Sequence, residues 1–293
     1  MSSFFALLSA FLFAGNAVSV RLALRGSTSA TAVMVSVATN LGALWLIAAI
    51  GGSLQHLLTS ATLVFLAAGL FAPALARLTY YESINIIGVA RAATISNTTP
   101  LFSAILAVPV LGEHLTWAVA AGTVFVVVGV ALTFRPQPGT EADRIGAAPG
   151  RTRTLGLLLA LNTAVMASIS FILRKIGLRL LPDPNLAAAL TVTGSLVTLL
   201  PYLGARQRRD PLRAERSSLV FLIAGGILST GGFLAYYLAL NLGEVVRVTP
   251  LSNTSPLFAV LLLAVFREVE VITPSTVAGA VLAVAGILLV LVG

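Results

Sequence analysis

Few residues in this chain are able to do chemistry, and they are clustered. Ser96-Asn97-Thr98-Thr99-Pro100 places four hydrogen-bonding side chains before a proline in an otherwise apolar run, and Ser252-Asn253-Thr254-Ser255-Pro256 repeats the pattern. Proline has no N–H, and its ring clashes with the carbonyl four residues earlier. Pro100 and Pro256 are therefore expected to free the carbonyls of Ser96 and Ser252 and to act as hinges. Within hydrocarbon, unpaired backbone groups are costly, so both segments must face protein or a wet cavity. Ligand contact at a kinked hinge is one role; hydrogen-bonded glue between membrane helices is the other.

Arg91 and Arg247 precede these segments at equal spacing. At roughly 100° per residue, Arg91, Thr98 and Phe102 share one helical face, as do Arg247, Thr254 and Phe258, while Asn97 and Asn253 lie about 120° away. An arginine inside a membrane helix costs about 2.5–3.5 kcal/mol at the centre, which favours contact with a substrate, a gate or a charged partner. Each lies about one turn inside its span, so snorkelling to the headgroups is the alternative. Tyr80-Tyr81 and Tyr236-Tyr237 close two spans, either lining a cavity or forming an aromatic girdle. Asn16 and Asn162 are single polar residues in apolar helices, placed for packing or for ligand contact.

No catalytic set is expected. The chain has no cysteine and two histidines, His56 and His114, both in short loops. No catalytic residue, cofactor or metal site is assigned. Of the ten acidic residues, only Glu82, Glu113, Glu244 and Glu268 lie at span ends and none is central, so no intramembrane carboxylate suited to proton coupling is evident.

The elements that must position these groups follow from composition. Of 293 residues, 58% are hydrophobic and 10% charged, with mean hydropathy +1.00. That excludes a water-soluble globule, whose surface needs far more ionised groups, and excludes disorder. The net charge of +8 sits between apolar runs, as membrane anchors do, so nucleic acid is not an expected partner. Ten spans of about 20 residues are expected, at 4–24, 30–50, 62–83, 88–109, 117–134, 154–174, 185–204, 218–239, 245–266 and 275–292. Gly122/Gly129 and Gly279/Gly286 lie seven residues apart in spans five and ten and suit close helix approach. The polar stretch 135–153, with three prolines and three glycines, reads as a flexible linker.

A shift of 156 residues aligns 65–102 with 221–258 without a gap, with 16 of 38 positions identical. Five spans per half, an odd number, require the halves to enter the membrane in opposite directions. The expected fold is an all-α membrane protein of ten transmembrane helices, a 5+5 inverted repeat around a central cavity. Its parts are a first repeat at 1–134, the linker at 135–153 and a second repeat at 154–293. With Arg77, Arg91 and Arg247 set aside as lying in or at the ends of spans, odd-numbered loops hold twelve basic residues. Even-numbered loops hold three, Arg174, Lys175 and Arg179, which puts both termini outside.

At these residues the sequence resembles the EamA-type family of the drug/metabolite transporter superfamily. Thr99-Pro100-Leu101-Phe102-Ser103-Ala104-Ile105-Leu106-Ala107, followed by Leu111-Gly112-Glu113-His114-Leu115-Thr116, is similar to the family's proline and Gly-Glu stretch. Ser255-Pro256-Leu257-Phe258 repeats it, with Arg267-Glu268 in place of Gly-Glu, and Gly15-Asn16 is similar to its first-span motif. The resemblance implies a ten-helix transporter in the bacterial inner membrane, exporting amino acids and related metabolites, with YddG-like exporters the preferred group. The sequence departs from the family where 51–60 lacks basic residues. It also lacks the first-span glutamate of small multidrug relatives, which argues against cationic drugs.

The expected activity is export of small metabolites, above all amino acids, including apolar and aromatic ones, by alternating access. The chain acts as a monomer in the bilayer with a small-molecule substrate. Asn, Ser, Thr and Tyr groups hold the polar end, and Phe and Leu walls take the side chain. One alternative is an anion antiporter for sugar phosphates or nucleotide-sugars, which requires Arg77, Arg91 and Arg247 to converge on one cavity. The other is a non-transport membrane scaffold or enzyme.

Overall fold

The computed structural model describes residues 1–133, 150–207, 213–265 and 274–293; a few side chains within these stretches, Tyr81 among them, are outside the description. Most of the expected linker (135–149) and the Arg267-Glu268 pair therefore lie outside the described residues. The helices are α1 (Ser2–Ala23), α2 (Ser29–Ile50), α3 (Ser60–Gly69), α4 (Ala76–Ile87), α5 (Val89–Ser96), α6 (Thr99–Leu111) and α7 (Trp117–Thr133). They continue as α8 (Gly150–Leu180), α9 (Pro184–Gln207), α10 (Arg216–Leu242), α11 (Val245–Ser252), α12 (Ser255–Val265) and α13 (Pro274–Val292).

Eight segments are long and apolar enough to cross a bilayer: Ser2–Ala23, Thr31–Ile50, Ser60–Ile84, Arg91–Leu111, Thr152–Leu180, Arg216–Leu242, Val245–Leu262 and Pro274–Val292. The expected fifth and seventh spans correspond to shorter apolar helices, Trp117–Thr133 and Pro184–Val197. Their outward faces are apolar, as lipid contact requires: Trp117, Val128, Val197, Ile227, Leu261 and Leu288 are all exposed.

Two expectations need correction. The third, fourth and ninth spans are not continuous helices but pairs of shorter ones, α3/α4, α5/α6 and α11/α12. The sixth runs on to Leu180, so Arg174, Lys175 and Arg179 are all helix residues and not loop residues. Their environment explains why. The Lys175 ammonium donates to the carbonyls of Leu240 (2.6 Å) and Gly243 (2.7 Å), at the electronegative end of α10. Arg174, 4% exposed, lies over the rings of Tyr236 and Tyr237 at 5.7 and 5.6 Å. Of the three cations assigned to even-numbered loops, two are therefore fixed by helix contacts and report nothing about orientation.

The chain divides into two compact units. The first is Met1–Leu70, Leu173–Gly243 and Ser255–Val269. Lipid tails are as apolar as leucine, so helices here associate by close packing and hydrogen bonds rather than by the hydrophobic effect. Small residues make the close approaches: a Cβ at Gly69 would lie 2.0 Å from the Thr191 carbonyl oxygen, and one at Gly194 would lie 2.2 Å from that of Leu66. Polar bonds add to the packing. Asn40 donates to Ser229 (3.3 Å) and accepts from Thr230 (3.0 Å), and Trp45 donates to Thr193 (3.0 Å).

The second unit is Phe71–Ile172, Glu244–Thr254 and Glu270–Gly293. In it α7 and α13 pack backbone to backbone: a Cβ at Gly129 would come 2.6 Å from the Gly279 carbonyl, and one at Gly286 would come 2.6 Å from that of Gly122. The Leu-Gly-Glu turn gains a physical meaning here. Gly112, at φ 67°, ends α6 in a conformation that L side chains rarely adopt. The buried Glu113 carboxylate then accepts the amides of Val245 (2.8 Å) and Val246 (2.9 Å), capping the N-terminus of α11.

Candidate functional site

Two interruptions of the backbone build the site, both in the second unit. The first lies in the π-helical turn Leu70–Leu75, where Ala72 is extended (φ −147°, ψ 134°) ahead of Pro73. The Ser170 hydroxyl donates to the Ala72 carbonyl (3.1 Å), satisfying one group that the break exposes. α4 then starts afresh at Ala76 and sets Arg77 and Tyr80 one turn apart.

The second interruption is at Asn97-Thr98, between α5 and α6. It lies upstream of the hinge expected at Pro100, because the proline occupies the first turn of α6, where its missing N–H is no loss. The Ser96 carbonyl is not left free, since the Thr99 hydroxyl donates to it (2.6 Å), while Thr98 donates to Ile95 (2.6 Å). The same construction recurs at Asn253-Thr254. Thr254 donates to the Leu251 carbonyl (2.6 Å), and α12 begins at Ser255 with Pro256 in its first turn. Both prolines mark helix starts, and the chain breaks just before them.

Between these interruptions is a cavity of about 360 Å³, lined by Pro73, Ala76, Arg77, Tyr80, Ala93, Ser96, Asn97, Thr99 and Thr163. α8 fixes its wall through hydroxyls: Thr163 pairs with Thr79 (2.8 Å), Ser96 donates to the Ala160 carbonyl (3.4 Å), and Ser168 donates to that of Thr99 (3.0 Å).

The free hydrogen-bonding capacity decides what the cavity can hold. Arg77 is partly buried, and among the described residues its guanidinium has no hydrogen-bond or ion-pair partner. The Asn97 side-chain amide likewise has none among them. Thr99 directs its proton at the Ser96 carbonyl (2.6 Å), so its oxygen can only accept, while Thr163 shares its hydroxyl between the Leu159 carbonyl (3.0 Å) and Thr79. Among the described residues no carboxylate lines the cavity. It therefore offers one cation, one amide and several neutral acceptors.

Of the residues expected to bind substrate, Tyr80, Ser96 and Asn97 line this cavity together. Thr98 sits at the break beside it, and the Tyr81 side chain is outside the described set. Asn162 and Arg91 are partly buried and absent from the lining, though Thr163, next to Asn162, is part of it. Arg247 donates to the Gly293 carbonyl (2.8 Å) and pairs with Glu244 (3.4 Å), so Arg77, Arg91 and Arg247 do not meet in this cavity. Asn253 donates to the Thr249 carbonyl (2.9 Å), and Ser252 and Thr254 are buried.

The remaining candidates lie in the first unit. Tyr236 and Tyr237 are 3% and 0% exposed, and Tyr237 is bonded to the Thr191 hydroxyl. Asn16 packs against Gly225, with its carbonyl oxygen buried and lacking a donor among the described residues. Sequence reading missed Arg77, Thr99 and Thr163 as a group. The available signal was Arg77 itself, a charge inside an apolar run, four residues after Pro73 and three before Tyr80.

Comparison with known proteins bears on the whole chain. A family model described as the EamA-like transporter family matches it twice, at 1–135 and 154–292. No curated protein matches its sequence. Among solved structures, one crystal structure at 18% identity covers 98% of this chain and 95% of its own, with a TM-score of 0.79. That likeness shows a shared fold.

Proposed function

This chain belongs to the EamA-like transporter family, and from that premise we propose that it exports small metabolites, amino acids above all, by alternating access. Family membership makes it a membrane transporter of the drug/metabolite superfamily; substrate and mechanism are our reading. The observation that carries it is the cavity itself. Its volume of about 360 Å³ is at the small end of ligand sites, which run from about 300 to 1,000 Å³. It suits a single amino acid better than a nucleotide-sugar. Arg77 and Asn97 are placed to hold a carboxylate, and the oxygens of Ser96, Thr99 and Thr163 to accept from an amino group. A single guanidinium matches a monoanion, whereas a sugar-phosphate dianion calls for more positive charge, which favours amino acids over the antiporter reading.

In this proposal the two shorter apolar helices also cross the membrane. At 17 residues, α7 reaches roughly 25 Å, enough with modest local thinning of the bilayer. Ten spans then form five-helix repeats at 1–134 and 154–293, inverted about the 135–153 linker. The repeated breaks at Asn97-Thr98 and Asn253-Thr254 are the bending points, the unit of function is a monomer, and the membrane is the bacterial inner one. Proteoliposomes holding the purified protein should exchange labelled threonine, methionine and phenylalanine. Absence of flux for all three would remove the amino-acid assignment.

A further inference from the structure

The cavity's donors and acceptors are unequal in kind, and this bears on which substrates it selects. Positive charge is concentrated on Arg77, a partly buried guanidinium with no protein partner among the described residues. Among the described residues no negative charge lines the cavity to balance it. A planar guanidinium can bind a carboxylate in bidentate fashion, and such charge-assisted pairs are roughly twice as strong as neutral hydrogen bonds. The Asn97 amide, uncommitted and at the adjacent helix break, adds a neutral donor to the same wall.

An ammonium group entering the cavity meets nothing equivalent. The oxygens available to it belong to neutral hydroxyls, that of Thr99 donating to the Ser96 carbonyl and that of Thr163 already paired with Thr79. Such acceptors do little more than replace the water that an ammonium gives up on entry. The carboxylate is thus the anchor, and the amino group is tolerated without being required.

Building on the amino-acid reading of this same cavity, we propose that its ligand class is wider in one direction and closed in another. It takes small monocarboxylates whether or not they bear an α-amino group, and it excludes amines and amides that lack a free carboxylate. Arg77 is the residue that sets this specificity.

The test is calorimetric titration of the full chain in lipid nanodiscs with a series sharing one side chain: phenylalanine, 3-phenyllactate, 3-phenylpropionate, phenylalaninamide and phenethylamine. The three carboxylates are expected to bind within about tenfold of one another, and the amide and amine at least about thirtyfold more weakly. Arg77→Gln should weaken the three carboxylates by at least about thirtyfold while leaving the amide no weaker, and Arg77→Lys should restore part of the loss. Unchanged thermal midpoints for both variants confirm that they fold. The inference is overturned if phenylalaninamide matches phenylalanine, if 3-phenylpropionate fails while phenylalanine binds, if Arg77→Gln leaves the preference intact, or if nothing binds. Flux separates the two readings. Phenylalanine transport without this binding pattern removes only the specificity claim, and the pattern without transport removes only the exporter.

Discussion

Residues 73–99 and their repeat counterparts 229–255 share a sequence pattern but differ in structure. In the first copy Pro73 follows an extended Ala72 and the helix breaks, whereas its counterpart Ser229 keeps its N–H and α10 runs unbroken from Arg216 to Leu242. Arg77 faces the cavity; Phe233, at the equivalent position, packs edge-on against Phe13 at 5.2 Å. Tyr80 lines open space, while Tyr236 is buried beneath Arg174. Asn97 has an uncommitted amide, while Asn253 bonds to the Thr249 carbonyl. The lesson is that a repeated membrane unit need not carry two equal cavities. A proline and an arginine line a cavity in one copy, and where serine and phenylalanine stand in their place the other copy is filled by aromatic packing.

The largest effect should come from giving the open copy the residue of the closed one. Arg77→Phe removes the one cation that lines the cavity among the described residues and fills its space. Flux of labelled phenylalanine in proteoliposomes is expected to fall by at least about thirtyfold, with no loss in thermal midpoint, since a partly buried cation with no partner among the described residues also leaves the span. A variant that transports normally would show that the two copies do not differ in the way argued here. A smaller effect tests the closed copy from within. Arg174→Met takes away the cation lying over two buried rings, a loss of about 1–2 kcal/mol. The thermal midpoint should drop while flux per folded molecule is kept. Lost flux at an unchanged midpoint would instead put Tyr236 and Tyr237 at the substrate.

How far the sequence foretold this arrangement depended on distance along the chain. The apolar spans were legible because a bilayer imposes a length of about 20 residues on each, and the repeat because Ser-Asn-Thr-Thr/Ser-Pro is too polar to recur by composition alone. The break at Ala72-Pro73 was not legible. Membrane helices tolerate proline when neighbours satisfy the freed groups, and the neighbour that does so, Ser170, lies 98 positions away. Lys175 looked like a loop anchor because its carbonyl partners, at Leu240 and Gly243, are also remote, 65 and 68 positions away. Arg77 was visible, yet its proposed role depended on something only coordinates supply, the absence of a hydrogen-bond or ion-pair partner among the described residues.

The finest test of the comparison concerns the two asparagines, identical in type and position within their repeats. A net hydrogen bond contributes about 1 kcal/mol to stability. Asn253→Ala removes the bond to the Thr249 carbonyl, so its expected signature is a thermal midpoint lowered by a few degrees with substrate affinity unchanged. Asn97→Ala removes an amide that bonds to no described residue. Its midpoint should hold, while affinity for phenylalanine falls about five- to tenfold, the loss of one ligand hydrogen bond. Stability and affinity should therefore respond in opposite order to the same substitution in the two copies. If both variants lose affinity equally, the second copy takes part in binding and the asymmetry drawn from Arg77 and Phe233 does not extend to the helix breaks.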